Sequence, residues 1–356
     1  MSHAQTRRAP AAAQPVTLAL EGGGTLGAFT WGVLDRLVDV PDLRITVVSG
    51  TSAGAMNAAL LVQALATGGA AEAKRLLETF WHRVAIAAGS VPGPADAWLH
   101  AVGGAMAPMV DAMRQAATAW SPGPGHSGIN PLRGILTELL DPGVFGRPGA
   151  PTLVIATTRV RTGEARLFQD GEVTVDALLA SACLPQLFSA IEIQGEGYWD
   201  GGYASNPPLR PLIEAGAPSD MLIVRTTPLE RPEMPTDAAA IQERVNEFMF
   251  GAALRQELRS LALAQQLLAD MPSVVGPLAR LREARLHMIG AEAEFRALKG
   301  GSAQDPTWHF LSTMRDLGHR AADRWLEENL SAIGTRSTLD MAQFAGPRLE
   351  HDLTAS

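Results

Sequence analysis

A single cysteine, Cys183, is found in 356 residues. That excludes an internal disulfide framework and fits a reducing compartment or an indifferent one, and a cytoplasmic location is the expectation. No uninterrupted apolar run approaches the roughly 18 residues needed to cross a bilayer, so any contact with a membrane or lipid surface is expected to be peripheral. Residues 1–15, rich in Ala, Pro, Gln and Arg, lack the apolar segment of a secretory leader and read as a disordered tail. No basic stripe occurs, and the net charge of −8 argues against a nucleic-acid partner. Internal repeats are also missing. Hydrophobic residues make up 46% of the chain, ample for a large core.

Residues 45–60 hold the strongest chemical signal. An apolar β-branched run ends in Gly50-Thr51-Ser52-Ala53-Gly54 and passes straight into helix-favouring residues. Strand, sharp turn and helix around G-x-S-x-G describe a nucleophile elbow, in which a Cβ at either flanking glycine would collide with a neighbouring strand or helix. Ser52 is therefore the candidate nucleophile.

Upstream, 16–20 reads as a buried strand that empties into Glu21-Gly22-Gly23-Gly24-Thr25-Leu26-Gly27, followed by helix over 28–38. Strand, glycine loop, helix and strand form one βαβ unit, whose two parallel strands should lie side by side or nearly so. Both loops then leave the carboxyl ends of their strands, where open α/β sheets bind ligands. Amides of Gly22, Gly23 and Gly24 can reach the space before Ser52 and hold an oxyanion. The same loop matches the dinucleotide pattern G-x-G-x-x-G, but Asp42 precedes the second strand, where that fold requires an acid at its end.

Two helices broken at Gly68-Gly69 are expected over 63–88, a helix over 131–140 capped by Asn130, a hairpin through Thr162-Gly163, a helix over 175–182, and a second hairpin over 192–199. The Met- and Trp-heavy stretch 97–130 reads as a helical cap or, alternatively, a lid. Asp200-Gly201-Gly202 closes the second hairpin, and 221–226 is the last clear strand. Beyond 228 the texture becomes charged and helical, with Ile241, Val245, Phe248, Met249 and Ala252 on one face, and helices are expected at 277–298 and 311–330. Cys183 reads as a buried structural thiol.

Taken together, the Gly22–Gly27 loop, the Gly50–Gly54 elbow and Asp200-Gly201-Gly202 resemble the patatin-like phospholipases over about residues 16–226. The segments 180–188 and Asn206-Pro207-Pro208 look like the family's as well, and the C-terminal part, with Ser337-Thr338-Leu339-Asp340, looks like the extension of one bacterial branch. The resemblance implies a three-layer α/β/α fold with a mainly parallel sheet. It divides the chain into a catalytic domain at 16–227 and a helical extension at 228–356. It also implies a Ser52–Asp200 dyad without histidine, an oxyanion loop at Gly22–Gly24 with Thr25 and Gly27 in the same motif, a lipid acyl ester as substrate, and no metal or other cofactor. For such a base, partial burial beside Trp199 is expected to raise the carboxyl pKa. One departure is Leu26, where many members carry Arg or Lys, which puts the anchoring of the glycine loop in question.

Three other readings stand beside this one. A Ser–His–Asp triad would draw on His287, His309, His319 or His351, none of which follows a strand-like segment. A lipid-binding or regulatory protein could keep the fold with weak catalysis. The dinucleotide reading of Gly22–Gly27 is the third.

Overall fold

The computed structural model describes residues 13–89, 130–185, 187–231, 233–298 and 305–344. The expected cap or lid at 97–130, apart from Asn130, lies outside them, as do the first twelve residues and His351. Among the described residues, eight strands form one sheet: β1 (Gln14–Leu20), β2 (Leu43–Thr51), β3 (Thr152–Arg159), β4 (Ala165–Gln169), β5 (Ile191–Ile193), β6 (Glu196–Asp200), β7 (Asp220–Val224) and β8 (Arg285–Ile289). The order is β5-β6-β3-β2-β1-β7-β8, with β4 on the other edge of β3. Pairings from β3 through β8 are parallel, while β4, β5 and β6 join as antiparallel hairpins. The sheet begins two residues earlier than expected, because Gln14 and Pro15 pair with Leu43 and Arg44 and so belong to β1, not to a tail.

Alternation along the strands feeds two cores. Leu18, Leu20, Leu222 and Val224 face one layer, and Ala19, Met221 and Ile223 face the other. The first layer is built by α1 (Gly27–Leu37), α2 (Ala53–Thr67), α3 (Gly69–Ala87), α4 (Pro131–Leu139) and α5 (Val175–Ser181). The break between α2 and α3 falls at Gly68-Gly69, with Gly69 at φ 69°, and Asn130 caps α4 through the Leu132 amide. The second layer consists of α6 (Arg210–Ala215), α7 (Ala238–Leu268) and α8 (Pro277–Glu283).

The C-terminal region is mostly helical but is not an appendage. Residues 277–298, expected as one helix, divide into α8, β8 and α9 (Glu292–Arg296). A five-residue apolar run carries too little periodicity to separate strand from helix, and here pairing with β7 decides. The sheet thus crosses the expected boundary at 227/228. Asp220 at the start of β7 bonds Arg285 twice (3.0 and 2.7 Å), His287 (3.2 Å) and the Gly334 amide (2.8 Å). Burial opposes ionisation there, but these donors hold its carboxyl well below the usual range. His287 Nδ1 reaches Thr338 Oγ1 at 3.0 Å, and Leu286 bonds Ser337, Thr338 and Leu339, so 337–339 is stitched to β8.

The apolar face Ile241, Val245, Phe248 and Met249 of α7 is exposed, not packed. Leu254, Leu258 and Leu261 enter the core instead, with Phe250 laid against Gly202, so the helix is rotated away from the orientation its first half suggests.

The last long helix, α10 (Trp308–Asn329), crosses α1 at two glycines. A Cβ at Gly32 would overlap the Arg315 carbonyl, and one at Gly318 would overlap the Phe29 carbonyl. Asp35–Arg315 and Arg36–Asp323 ion pairs flank the contact. Gly318→Val should therefore lower stability by about 1–3 kcal/mol, seen as a lower urea midpoint, because neither backbone can retreat without losing the interface.

Candidate functional site

β3 brings the site together. Ala156 of β3 pairs with Thr51, the last residue of β2, and the next residue, Thr157, pairs with Asp200, the last residue of β6. The serine elbow and the aspartate, about 150 residues apart in sequence, therefore meet on consecutive positions of one strand.

Ser52 has φ 55° and ψ −124°, a left-handed conformation for a residue with a side chain. Such a backbone is held only where its surroundings leave no alternative. A Cβ at Gly50 would strike the Gly54 backbone, and one at Gly54 would strike the Leu20 and Glu21 carbonyls, as the elbow pattern requires. The Ser52 amide donates to Ser181 Oγ (2.9 Å), which donates in turn to the Ala156 carbonyl (2.7 Å). Ser181 is buried at the end of α5 and ties the elbow to β3. Its spacing from other polar residues gave no sign of this, and the family-like look of 180–188 pointed to the region without giving Ser181 a role.

Asp200 is 1% exposed. Its carboxylate accepts the Gly202 amide (2.7 Å), and the Ser52 side chain lies near enough to favour its ionised form. Burial outweighs both influences and raises its pKa to about 7. The enclosure is more complete than expected and does not come from Trp199, since adjacent strand residues point to opposite faces. Glycine is required beyond it: a Cβ on Gly201 would overlap the Ala156 carbonyl, and one on Gly202 would overlap Phe250. Cys183 is buried beside this carboxylate, its thiol pushed up to about 11 by burial and then by Asp200, and its carbonyl accepts the Asp200 amide. It is structural.

The glycine loop lies against the elbow. A Cβ on Gly22 would come within 2.8 Å of Ser52 Cβ, and one on Gly27 within 2.6 Å of Ala53 Cβ. One expectation needs correction. The Gly22 amide donates to Asn206 Oδ1 at 2.7 Å and so is not free for an oxyanion. The Gly22 carbonyl accepts from Thr226 Oγ1 (2.7 Å). Backbone amides of Gly23 and Gly24 have no acceptor among the described residues, and Gly24 is the exposed member. Thr25 and Gly27 begin the short turn and helix that follow.

Leu26 is buried in the first core, so the loop is not anchored through a side chain there. Anchoring comes from below instead. Glu21, fully buried, accepts from the amides of Thr226 (2.7 Å) and Thr227 (3.1 Å) and from Thr227 Oγ1 (2.9 Å). Burial raises its pKa, against the pull of Arg225 and these donors. Asn206 completes the frame by donating to the Phe250 carbonyl of α7 (3.1 Å).

The histidines do not join Ser52. His287 lies inside β8, against the expectation that no candidate was near a strand, but β8 is three strands from β2 and its partner is Asp220. His309 and His319 are on α10. A cavity of about 380 Å³ opens at the amino ends of β1 and β7, lined by Gln14, Asp220, Arg280 and Arg285, whose charged groups satisfy one another or backbone carbonyls. It is remote from the elbow, which lies at the carboxyl ends of the same parallel strands. Among the described residues no group of three or more His, Cys, Asp or Glu could hold a metal, and no helix is long and apolar enough to cross a membrane.

Residues 18–213, which span the glycine loop, the elbow and Asp200, match the patatin-like phospholipase family. The chain belongs to that family. Membership supports a lipid acyl hydrolase in general terms. Eleven chains of solved structures match, among them the crystal structure of VipD from Legionella pneumophila, with a TM-score of 0.41 and 17% identity over 89% of this chain and 67% of that one. No curated protein matches the sequence.

In this patatin-like chain Asn206 joins the glycine loop to α7. Asn206→Ala leaves the buried Gly22 amide without an acceptor, so a loss of about 1–3 kcal/mol in unfolding free energy is expected by urea denaturation. Asp200→Asn should act in the opposite sense. A raised folded-state pKa means that stability present at low pH is lost as pH rises through about 7. The Asn variant escapes that loss, so its melting temperature should exceed the wild type's at pH 8, with the gap narrowing as the pH falls and closing near the unfolded value of 3.8.

Proposed function

We propose that the protein is a serine lipid acyl hydrolase in which Ser52 is the nucleophile and Asp200 its base, with phospholipid or lysophospholipid as the first substrate class. The convergence of the Ser52 elbow and a fully buried carboxylate on consecutive positions of β3 carries the reading. A free aspartate is a weak base toward a hydroxyl, whereas one with a pKa near 7 is matched to neutral operation.

In the proposed course, Asp200 takes the Ser52 proton as Oγ bonds to the acyl carbon. The carbonyl oxygen becomes an oxyanion facing the Gly23 and Gly24 amides, where each donor contributes about 2.7–4 kcal/mol in comparable sites. Collapse breaks the ester bond, and the leaving alcohol takes the proton back from Asp200. Water then attacks the acyl-enzyme with Asp200 again as base, releasing the acid and restoring Ser52. No step calls on a histidine or a metal.

A fluorophosphonate probe should label the wild type and leave Ser52→Ala unlabelled. On p-nitrophenyl esters of graded chain length, Ser52→Ala and Asp200→Asn should each lose about 10³-fold or more in kcat/KM. Wild-type kcat/KM should fall about tenfold per pH unit below pH 7 and level off above it, because only the ionised carboxylate accepts the proton. Unlabelled wild type that still binds liposomes would favour a lipid-binding protein instead.

A further inference from the structure

The segments that carry the proposed chemistry contain no positive charge. Residues 9–35, 45–73 and 167–209, which include the glycine loop, the elbow and Asp200, hold no Lys or Arg. Cations reach this end of the sheet from the chain after β7. Arg225 is buried and pairs with Glu292 (2.9 Å), while Arg231 and Arg244 share Glu247 (2.6 and 2.7 Å). Arg255 differs. It has no carboxylate partner among the described residues, and its hydrogen bond to the Phe248 carbonyl is long, at 3.4 Å.

The placement of Arg255 is specific. Its guanidinium folds back along α7 over Gly251, where a Cβ would meet its two terminal nitrogens at 3.2 Å. The preceding residue, Phe250, lies against Gly202 and through its carbonyl holds Asn206, the acceptor of the Gly22 amide. One turn of helix thus joins the guanidinium to both the Asp200 segment and the glycine loop. Burial lowers its proton affinity, Arg225 and Arg244 add to that, and Glu21 opposes it. A half-buried cation among cations, in a chain of net charge −8, is a site short of an anion.

We propose that Arg255 recognises a phosphate group carried by the substrate next to its scissile ester. This rests on the hydrolase reading above and adds the residue that selects the substrate. A guanidinium presents two parallel N–H groups that match phosphate oxygens. The exposed strip Ile241, Val245, Phe248 and Met249 runs along the same helix up to Gly251, and Arg244 stacks on Phe248 at 4.2 Å. A cation beside an apolar strip suits an acylated phosphate better than the free ion.

Binding, which needs no turnover, tests this on full-length Ser52→Ala protein by calorimetric titration. Dihexanoyl phosphatidic acid should bind about tenfold or more tighter than dihexanoylglycerol. Adding Arg255→Gln should bring the two affinities together, and Arg255→Lys should restore part of the difference. Equal affinities without the Arg255 change, or a preference that survives Arg255→Gln, would overturn the assignment. Inorganic phosphate that competes as tightly as the lipid binds would overturn the lipid source in favour of the free ion. The two proposals fail separately. A preference for the phosphorylated lipid with no ester turned over by wild type removes the hydrolase and keeps the anion site, and turnover without that preference does the reverse.

Discussion

Everything at the candidate site depends on taking a carboxylate out of water. Asp200 closes a short hairpin strand that continues along the edge of β3 just beyond the end of β2, so its side chain enters a space already walled by the elbow, α5 and the first turn of the following segment. The Gly202 amide and the nearby Ser52 side chain do too little to offset the lost hydration, and the proton affinity rises accordingly. The serine cannot relax away from it, since a left-handed backbone, the Ser181 hydroxyl and two backbone-tight glycines hold the turn. A serine with a strained backbone and a poorly solvated carboxylate are thus kept near each other by parts of the fold that do no chemistry.

The second constraint is how the glycine loop is held. It offers amides with few side chains of its own, and its neighbours supply the rigidity. Asn206 and Thr226 bind the two polar groups of Gly22, and the buried Glu21 ties the base of the loop to the end of β7. Engaging Gly22 orients the chain so that Gly23 and Gly24 remain available. Because Asn206 also bonds α7, the loop and the C-terminal helices form one mechanical unit. Leu26, which suggested a weaker anchor, is instead core packing.

The C-terminal region is integral for the same reason. It contributes β8 to the sheet, most of the second core, the α10 crossing on α1, and the helix turn that closes over Gly202. The described residues therefore have one sheet and two cores, with no seam at 227/228.

Local pattern alone determined a good deal: the elbow, the glycine loop, the paired β1 and β2, both hairpins, the broken helix at Gly68-Gly69 and the α4 cap. Each depends on steric rules or hydrogen bonds that act within a few residues, so the information sits where the structure forms. The resemblance carried by three motifs added Asp200, which as an isolated Asp-Gly-Gly would pass for a turn. Tertiary structure alone decided the rest. Gly22 loses its amide to a residue 184 positions away, Ser181 becomes the elbow's brace, β8 is a strand because β7 lies beside it, and α7 turns its first apolar face outward because Phe250 has a seat on Gly202. These outcomes depend on which surfaces meet, and contacts across such separations leave no trace in local periodicity.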